Sequence, residues 1–505
     1  MAEETTSGIA YAKYALSGSN RFVSGIAVLA AIGGFLFGFD TGIIGQALPF
    51  IQQDWKPSTF AASWIVASIL IGAMVGAAGS GYLAEKISRK WTKCASGCVY
   101  VVGAILCAVA PNEGWLIASR FILGLSVGTA SFVSPEYISE QTPPKMRGGT
   151  VTYNQVMITL GILVAYFVGF GLKGLGDGWR WMLGLGAIPG VALAVAMIFV
   201  PHSPRWLASK GRMDDARAVL QRTRKDSSDE EIEQELRDMG DVVKKSREWS
   251  LRDLFGKRVR PLMVVGIGLA VFQQFVGINT VIYFTSTILK YTGSSTNMSL
   301  QLAVYVGLTN FVTTIVAVLL MDWAGRRKLL LPGTAVLTVA LIGLGLFFQL
   351  SSLSSHPVIG LICVIVYIVG FAIGLGPVFW LMISEIYPLH FRSQAMAVAT
   401  IFNWGANFLV SYYFLQMTDA IGKPATFYIY GGMGILSLVF FWFKVPETKN
   451  RSLEEIEREI GGAETAEAAV GSGGRDGDRA HPEPYDGVDR DASPARSDLR
   501  SGSDG

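Results

Sequence analysis

The sequence predicts an all-α membrane protein whose twelve transmembrane helices form two related six-helix halves. Three observations support this fold class: apolar stretches recur at the length of a membrane span, charged residues fall mainly between them, and motifs of the first half return in the second. Hydrophobic residues make up 51% of the 505 residues and charged residues only 16%, which is the composition of a chain dissolved in lipid.

The apolar stretches are read as helices because a segment that crosses lipid must satisfy its backbone hydrogen bonds internally. A hydrocarbon core about 30 Å thick needs roughly 20 helical residues to cross it. The twelve predicted spans are 22–48, 60–84, 94–112, 114–136, 150–172, 181–200, 261–289, 300–321, 329–350, 358–384, 395–418 and 425–443. The first is too long for the apolar core of a signal peptide and no cleavage site follows it, so we expect the N-terminus to be retained.

Lys and Arg in the short connections predict the orientation of the spans. The connections on one side hold ten of these residues and those on the other side hold five. The richer side is predicted to be the cytoplasmic face of a plasma membrane, with both termini on that side. The chain then divides into a cytoplasmic N-terminus at 1–21, a six-helix half at 22–200, a cytoplasmic connection with short surface helices at 201–260, a second six-helix half at 261–444 and a cytoplasmic tail at 445–505, disordered beyond about 461.

Motifs of the first half recur in the second. The segment GYLAEKISRK at 81–90 corresponds to LLMDWAGRRK at 319–328, and VPHSPR at 200–205 corresponds to VPETKN at 445–450. Two homologous halves place a substrate site between them near the membrane midplane, open to each side in turn. The repeat therefore predicts a rocking carrier rather than a channel.

Two charged residues lie deep inside predicted spans. Asp40 is about 12 Å from the outer end of the first span and Arg120 about 9 Å from the outer start of the fourth, at about 1.5 Å per residue. A charge near the bilayer centre costs about 2.5–3.5 kcal/mol on insertion scales, so a charged residue at this depth indicates a structural or functional role. We predict that the two residues meet and that Asp40 carries a proton. The alternative is a permanent structural ion pair.

The seventh span carries QQFVGIN, with the amides Gln273, Gln274 and Asn279 about halfway across. An amide offers a donor and an acceptor, which matches the hydroxyl groups of a neutral polyhydroxyl ligand. A break at Gly277 is needed for these side chains to converge, because Gln273 and Asn279 point about 120° apart on an ideal helix. The alternative is that the amides join helices by hydrogen bonds.

In the eleventh span Asn403, Trp404 and Asn407 share one face of the helix by their spacing. The apolar faces of pyranose rings stack on aromatic side chains, and Trp380, just after the helix-breaking GLGP at 374–377, offers a second such surface. These residues predict a sugar site. The alternative is that either tryptophan lies at the membrane interface.

Acidic and basic residues recur together at the cytoplasmic ends of the spans in both halves. The predicted gating residues pair as Glu85 with Arg89, Glu140 with Arg147, Asp322 with Arg326 and Arg327, and Glu385 with Arg392. Ion pairs that link the halves on this side would favour the outward-open state and break when the carrier rocks inward. The alternative is solvated loop charge, since exposed pairs contribute only about 0–1 kcal/mol.

Other classes of function are not favoured. A net charge of +3 without a basic patch argues against nucleic acid as a partner. Cys94, Cys98, Cys107 and Cys363 fall inside spans without a histidine cluster, so we predict no metal, cofactor or catalytic residue. Without a GxxxxGK[ST] loop, ATP-driven pumping is not expected.

The chain resembles the sugar porter family of the major facilitator superfamily over about residues 22–455. The resemblance lies in FGFDTGIIGQAL at 37–48, GYLAEKISRK at 81–90, SRFILGLSVG at 119–128, PEYISEQTPPKMRG at 135–148, PHSPRWL at 201–207, QQFVGIN at 273–279, DWAGRRK at 322–328, GPVFWLMISEIYP at 376–388, NW at 403–404 and PETK at 446–449. It implies the major facilitator fold.

The resemblance also implies site residues. Positions that contact sugar in family members correspond here to Gln155, Gln273, Gln274, Asn279, Asn310, Trp380, Trp404 and Asn407. The position of Asp40 is an acid in proton symporters of the family and an amide in passive facilitators, and Arg120 is its implied partner. Two residues depart from the family pattern: Ser88 stands in place of the usual Gly and His202 in place of the usual Glu. Both lie near the predicted gating residues.

We therefore expect a secondary active transporter, not an enzyme, that imports a monosaccharide together with a proton. The alternatives are a passive facilitator and a non-transporting sugar sensor that signals through the tail at 461–505. The residues do not distinguish between sugars, because amides and tryptophans fit hexoses, pentoses and cyclic polyols alike. We expect the carrier to act as a monomer surrounded by lipid.

Overall fold

The structure, a computed structural model, describes residues 21–143, 147–225, 227–246, 253–256, 259–388, 391–449 and 451, with all of their side chains except those of 147–151, 240–246, 253, 322 and 393. These residues are helical between short connections and include no strand. They belong to the first of two units, residues 1–461, and the second unit lies outside the described part. The predicted N-terminal segment up to residue 20 and the predicted disordered tail also lie outside it.

The first six spans are built from seven helices. They are α1 (Arg21–Asp54), α2 (Thr59–Ile87), α3 (Arg89–Ala108), α4 (Glu113–Gln141), α5 (Arg147–Leu172), α6 (Gly178–Gly184) and α7 (Ala187–Phe199). The helices α6 and α7 form one span, because Leu185 and Gly186 between them keep a right-handed helical conformation.

The connection between the halves holds three helices and a short 3-10 turn. They are α8 (Pro204–Ser209), α9 (Met213–Thr223), α10 (Asp229–Ser246) and the turn Asp253–Phe255. Trp206 and Leu220 belong to a small apolar cluster of these helices that is separate from the main core. Arg224 donates hydrogen bonds of 2.9 and 3.3 Å to the backbone oxygens of Gln141 and Thr142. The connection is thereby tied to the end of α4.

The second half is built from ten helices. They are α11 (Arg260–Phe275), α12 (Ile278–Tyr283), α13 (Thr285–Tyr291), α14 (Thr296–Ala324), α15 (Arg326–Gln349), α16 (Ser351–Ser354), α17 (Pro357–Ile373), α18 (Leu375–Glu385), α19 (Arg392–Ala420) and α20 (Gly422–Lys444). Two spans are interrupted by glycine, at Gly277 between α11 and α12 and at Gly374 between α17 and α18. Both interruptions fall close to predicted sugar-binding residues.

Eleven spans have the length and hydropathy of a membrane-crossing helix within the described residues. The remaining span is α19, which has 29 residues and is long enough to cross. It is less apolar because it carries Asn403, Asn407 and Ser411, and these are buried in the protein rather than exposed to lipid. The fold is the predicted all-α bundle of two halves, and the lower hydropathy of α19 reflects its polar inner face.

The helices α1 and α5 approach so closely that side chains are excluded from their contact. A Cβ on Gly38 would overlap the carbonyl oxygen of Ile158, and one on Gly161 would overlap the carbonyl oxygen of Phe35. Lipid gives two helices no hydrophobic reason to associate, so small residues that let backbones pack closely hold such spans together. This contact fixes the part of α1 that carries Asp40.

The two halves touch at the end of the bundle opposite the α2–α3 turn. The Oγ1 atom of Thr59 in α2 donates a hydrogen bond of 2.8 Å to Asp419 in α19. Next to it, Trp64 packs against Tyr412 with ring centroids 5.2 Å apart. This is the end that the charge pattern of the loops predicts to lie outside the cell.

Candidate functional site

Asp40 and Arg120 form the contact that their depths in the sequence predicted. Two nitrogens of the Arg120 guanidinium donate to the two carboxylate oxygens of Asp40, at 3.4 and 3.3 Å. Asp40 comes from α1 and Arg120 from α4, so the pair joins two helices of the first half. Because the guanidinium and the carboxylate match in shape, the contact is bidentate.

The pair is kept away from water. Asp40 is 3% exposed and Arg120 is fully buried. Within the described residues, the Nε atom of Arg120 has no hydrogen-bond partner. Breaking a buried ion pair by neutralising one partner costs about 3–5 kcal/mol, because the other charge is left uncompensated. A proton on Asp40 would therefore change the forces between α1 and α4, which is the property that a proton-driven conformational change needs.

Four amides of the second half form one hydrogen-bonded network. Gln274 donates to Asn403 at 3.1 Å and accepts from Asn279 at 2.8 Å. Asn403 donates to Gln273 at 2.7 Å. The residues converge because α11 ends at Phe275 and Gly277, with a φ of 85°, turns the chain before α12 begins. Glycine reaches that left-handed conformation without a steric penalty, which explains why the break that the sequence required falls there.

Trp404 and Asn407 continue the site toward the first half. The indole of Trp404 is 2% exposed and meets the ring of Phe37 in α1 edge to face, with centroids 5.1 Å apart. Its Nε1 donor is buried without a partner among the described residues. Asn407 donates to the hydroxyl of Tyr283 at 3.4 Å and accepts from Ser411 at 3.0 Å. Trp404 is thus a contact between the halves that retains an unused donor.

Tyr283 is a site residue that the sequence analysis missed. It is buried at the end of α12, and its hydroxyl contacts Asn407. A Cβ on Gly45 would lie 2.9 Å from the carbonyl oxygen of Tyr283, so α1 packs directly on the backbone of α12. The signal was available, because Tyr283 follows Asn279 by four residues and therefore shares its face of the helix.

The remaining predicted sugar contacts are not hydrogen-bonded to the amide network among the described residues. Gln155 is half-buried in α5, and Asn310 is buried in α14. Neither amide side chain makes a hydrogen bond in the described part of the chain. Trp380 is half-buried in α18, with its ring 4.8 Å from that of Phe379.

The predicted gating residues of the first half form a cluster around Arg89. Arg89 contacts Glu136 at 3.1 Å and Glu140 at 3.2 Å, both in α4. The expected pairing of Arg89 with Glu85 is replaced by these contacts, because the start of α3 lies beside the end of α4. Glu136 was not among the predicted gating residues, although it precedes Glu140 by four residues and so lies on the same face.

The equivalent cluster of the second half centres on Arg326. Arg326 contacts Glu385 at 2.7 Å, and the carboxylate of Glu385 also accepts from Thr448 at 2.6 Å. Arg327 donates to the backbone oxygen of Trp442 at 2.6 Å. The second half therefore repeats the arrangement of the first, in which a guanidinium at the start of one helix binds a carboxylate at the end of another.

These contacts correct one expectation about the gate. The Arg89 and Arg326 ion pairs were expected to link the two halves, but each joins helices of the same half. Arg392 donates to the backbone oxygen of Tyr387, which is also in its own half, at 2.8 Å. The side chains of the predicted partners Arg147 and Asp322 lie outside the described residues.

A helical membrane bundle of two halves, with polar and aromatic side chains gathered where the halves meet, is the architecture of major facilitator transporters. A family model described as "Sugar (and other) transporter" matches residues 26–460. The chain belongs to this sugar transporter family of the major facilitator superfamily.

Two relatives and one solved structure show how far the similarity extends. The chain is 38% identical over 445 residues to a D-xylose transporter of Levilactobacillus brevis, covering 87% of this chain and 96% of the relative. It is 38% identical over 438 residues to a galactose-proton symporter of Escherichia coli (strain K12), covering 86% and 94%. The structure of the proton:xylose symporter XylE bound to 6-bromo-6-deoxy-D-glucose matches with a TM-score of 0.76 and 29% identity, covering 87% of this chain and 99% of that one.

Proposed function

We propose that this protein imports a monosaccharide together with a proton by alternating access. The observation that carries the proposal is the bidentate Asp40–Arg120 pair, buried in the interior of a membrane bundle. An ionisable residue at such a position usually marks an ion pathway. The relatives named as a galactose-proton symporter and a D-xylose transporter support the same chemistry. The substrate is a hexose, a pentose or a related polyol.

The sugar binds to the amides and tryptophans between the halves. The proposed contacts are Gln155, Gln273, Gln274, Asn279, Asn310, Trp380, Asn403, Trp404 and Asn407. The networked amides hydrogen-bond one another, and a sugar hydroxyl, which both donates and accepts, can replace those bonds without a net loss. A charged ligand would find no opposite charge among these side chains, so a neutral sugar fits better.

Proton and sugar act on the same short helix, α12. Asn279 and Tyr283 lie on one face of it, and Tyr283 contacts Asn407 of the sugar site. On the other side, α12 packs against α1 at Gly45, about one and a half turns from Asp40. When Asp40 takes a proton from outside and releases Arg120, α1 shifts against α12, and the sugar site closes toward the outside.

The ion pairs at the inner helix ends are proposed to keep each half rigid while the halves rock. The proposed gating residues are Glu85, Arg89, Glu140, Arg147, Asp322, Arg326, Arg327, Glu385 and Arg392. A half that moves as a unit needs its helix ends tied together, and the contacts of Arg89 and Arg326 supply such ties.

We propose that the protein lies in the plasma membrane with both termini in the cytoplasm and that it works as a monomer in contact with lipid. The excess of Lys and Arg in one set of loops supports the orientation. A protease that cuts a C-terminal tag in inverted vesicles but not in intact cells would support it. Cleavage in intact cells would contradict it.

Sugar uptake with and without a protonophore tests the function. Labelled hexoses, pentoses and polyols are offered to transport-deficient cells that express the chain, and accumulation of the best substrate is followed. We expect accumulation above the external concentration that collapses when the protonophore is added. Accumulation that is unchanged by the protonophore would rule out symport. Equilibration of the sugar without accumulation would identify a passive facilitator. Sugar binding without any uptake would identify a sensor.

A further inference from the structure

The turn between the second and third spans of each half has the same backbone conformation but a different residue. Ser88 lies between α2 and α3 with φ 89° and ψ 154°, and Gly325 lies between α14 and α15 with φ 94° and ψ 162°. This region of φ and ψ is essentially limited to glycine. Ser88, which is fully buried, is therefore the unusual residue of the two.

In the second half a carboxylate caps the helix that follows the turn. Glu447 accepts hydrogen bonds from the backbone N–H groups of Arg326 at 2.9 Å and Arg327 at 3.1 Å, at the start of α15. An anion at this position is stabilised by the helix dipole. The repeated motifs VPHSPR and VPETKN place His202 at the equivalent position of the first half.

Ser88 and His202 stand in the first half where the second half has Gly325 and Glu447. The Oγ atom of Ser88 accepts from the backbone N–H of Trp91 at 3.3 Å and lies 3.1 Å from Nδ1 of His202. A Cβ on Gly325 would lie only 2.8 Å from Oε2 of Glu447, so a side chain at the turn would require the capping carboxylate to move. In the first half the serine hydroxyl caps α3, and the imidazole becomes the partner of that hydroxyl.

The imidazole of His202 lies between the spans and the connecting helices. It stacks on Trp206 of α8, with ring centroids 5.1 Å apart and 20° between the planes. Trp206 donates a hydrogen bond of 2.9 Å to the backbone oxygen of Glu85, whose side chain is exposed. The backbone oxygen of His202 accepts from Gln141 of α4 at 3.0 Å. The contact with Ser88 therefore joins the connecting helices to the α2–α3 turn.

The surroundings of His202 disfavour its protonated form. Burial is the largest cause that lowers the pKa of His202 below 6.5, and the cations Lys90 of α3 and Arg212 beside α9 lower it further. Asp215 of α9 acts in the opposite direction. The neutral imidazole is thus the form that the folded protein favours.

Three acidic side chains near the turn are already engaged by other cations. Glu136 and Glu140 of α4 both contact Arg89. Asp215 contacts Arg212 at 2.7 Å. A proton on His202 therefore gains no unpaired carboxylate from Glu136, Glu140 or Asp215.

We propose that the Ser88–His202 contact is a proton-sensitive junction that is strongest with neutral His202 and that loosens the attachment of the connecting helices when the adjoining side of the membrane acidifies. Because the Oγ atom of Ser88 accepts from Trp91, its own hydrogen is available to a neutral Nδ1. A protonated Nδ1 can only donate, so the contact reverses its direction, the Ser88 oxygen accepts two hydrogen bonds and the serine hydrogen loses its acceptor. The new cation also lies at the N-terminus of α3, where the helix dipole repels it.

The junction provides feedback on transport. The carrier proposed above delivers protons to the side of the membrane on which His202 lies, so transport slows as protons accumulate there. This consequence rests on the proposed function, whereas the junction itself does not.

The first test measures the pH dependence of stability in the purified full chain and in His202→Gln. Since the folded protein holds the pKa of His202 below 6.5, the unfolded chain takes up the proton first as the pH falls, and the folded state loses stability there. Between about pH 7.5 and about pH 5.5 we expect the wild-type thermal midpoint to fall by about 2–4 °C more than that of the variant. An equal fall in both proteins overturns the proposal.

The second test uses the other half as a template. His202→Glu places a carboxylate against the Cβ of Ser88 and should lower the thermal midpoint. Adding Ser88→Gly recreates the arrangement of Gly325 and Glu447 and should restore the midpoint, so the two substitutions are not additive. The double variant should also lack the additional fall at acid pH. Additive effects would overturn the claim that the two residues act as a pair.

The third test measures sugar exchange in proteoliposomes with the same pH on both sides. From about pH 7.5 to about pH 5.5 we expect wild-type exchange to slow by about threefold more than that of His202→Gln. If the thermal midpoint depends on pH as expected but the exchange rate does not, the proposed feedback on transport is wrong, while the proton-sensitive contact is still supported. If neither protein exchanges any sugar, it is the proposed function that fails.

Discussion

The two halves build their candidate sites in different ways. In the first half the acid–base pair lies on uninterrupted helices, α1 with 34 residues and α4 with 29. Close glycine packing of α1 on α5 holds Asp40 in place. In the second half the amide network depends on an interrupted helix, because Gly277 turns the chain between α11 and α12.

The difference follows from what each ligand requires. A proton needs one carboxylate and a fixed partner, which rigid neighbouring helices provide. A sugar needs donors and acceptors on several sides, and an interrupted helix brings together side chains that an ideal helix would point apart. We infer that the first half determines whether transport is driven and that the second half determines what is bound.

The largest expected effect tests the first half. Asp40→Asn keeps the size of the side chain but removes the carboxylate that we propose takes up the proton. A membrane potential of about 100 mV supplies about 2.3 kcal/mol per charge, or roughly fiftyfold accumulation, and we expect the variant to lose it. Exchange of labelled for unlabelled sugar should continue. Both are measured in cells or proteoliposomes that express the variant.

The matched control for that variant is Asp54→Asn, at the end of the same helix. Asp54 accepts a hydrogen bond of 2.7 Å from the indole of Trp179, and asparagine keeps an acceptor there. Accumulation should be normal in this control. If Asp40→Asn accumulates sugar as well as the control does, the driven step does not belong to the first half.

A smaller effect, on affinity rather than on coupling, is expected in the second half. Gln274→Leu removes the partner of Asn279 and Asn403. A buried polar group left unsatisfied costs about 1–3 kcal/mol, so we expect the apparent affinity for sugar to fall by about ten- to hundredfold. At saturating sugar the accumulation ratio should persist. The exposed amide of Gln301 provides the control, and Gln301→Leu should change neither quantity.

The interruption of the seventh span gives the next smaller effect. Gly277→Ala forces a side chain into the left-handed region, which costs about 1–2 kcal/mol, and places its Cβ 3.2 Å from the ring of Tyr430. We expect a lower thermal midpoint and about fivefold weaker sugar binding. Gly432→Ala is the control, since a Cβ there meets no atom within 4 Å. Equal behaviour of the two variants would mean that the amides converge without the turn.

Much of this arrangement follows from the sequence because single residues fix it. The depths of Asp40 and Arg120 in their spans placed them within reach of each other, and the need for Gln273 and Asn279 to converge located the turn at Gly277. Each inference used only the rise and the turn of a helix, which are the same in every sequence.

The partners of the charged helix ends did not follow from the sequence. The pattern shows that acids and bases recur at one side of the membrane, but it does not show which helix ends are neighbours. Arg89 therefore found Glu136 and Glu140 within its own half instead of a partner in the other. The spacing of Tyr283 from Asn279 placed both on one face of a helix, but it did not show that Tyr283 contacts Asn407, 124 residues away.

The smallest expected effect tests the point where the two halves meet. Trp404 of the second half contacts Phe37 of the first, and its Nε1 has no partner in the described part of the chain. Trp404→Phe keeps a ring but removes the donor and part of the stacking surface. Aromatic contacts of this kind contribute about 0.5–1.5 kcal/mol, so we expect the apparent affinity to weaken by about two- to tenfold.

The accumulation ratio of Trp404→Phe decides what this contact does. Trp181→Phe, at a ring that is 62% exposed, is the control and should leave transport unchanged. If only the affinity falls, Trp404 belongs with the amides, and the division between the halves holds. If the accumulation ratio falls as well, coupling passes through the Trp404–Phe37 contact, because a residue of the sugar site then controls the driven step.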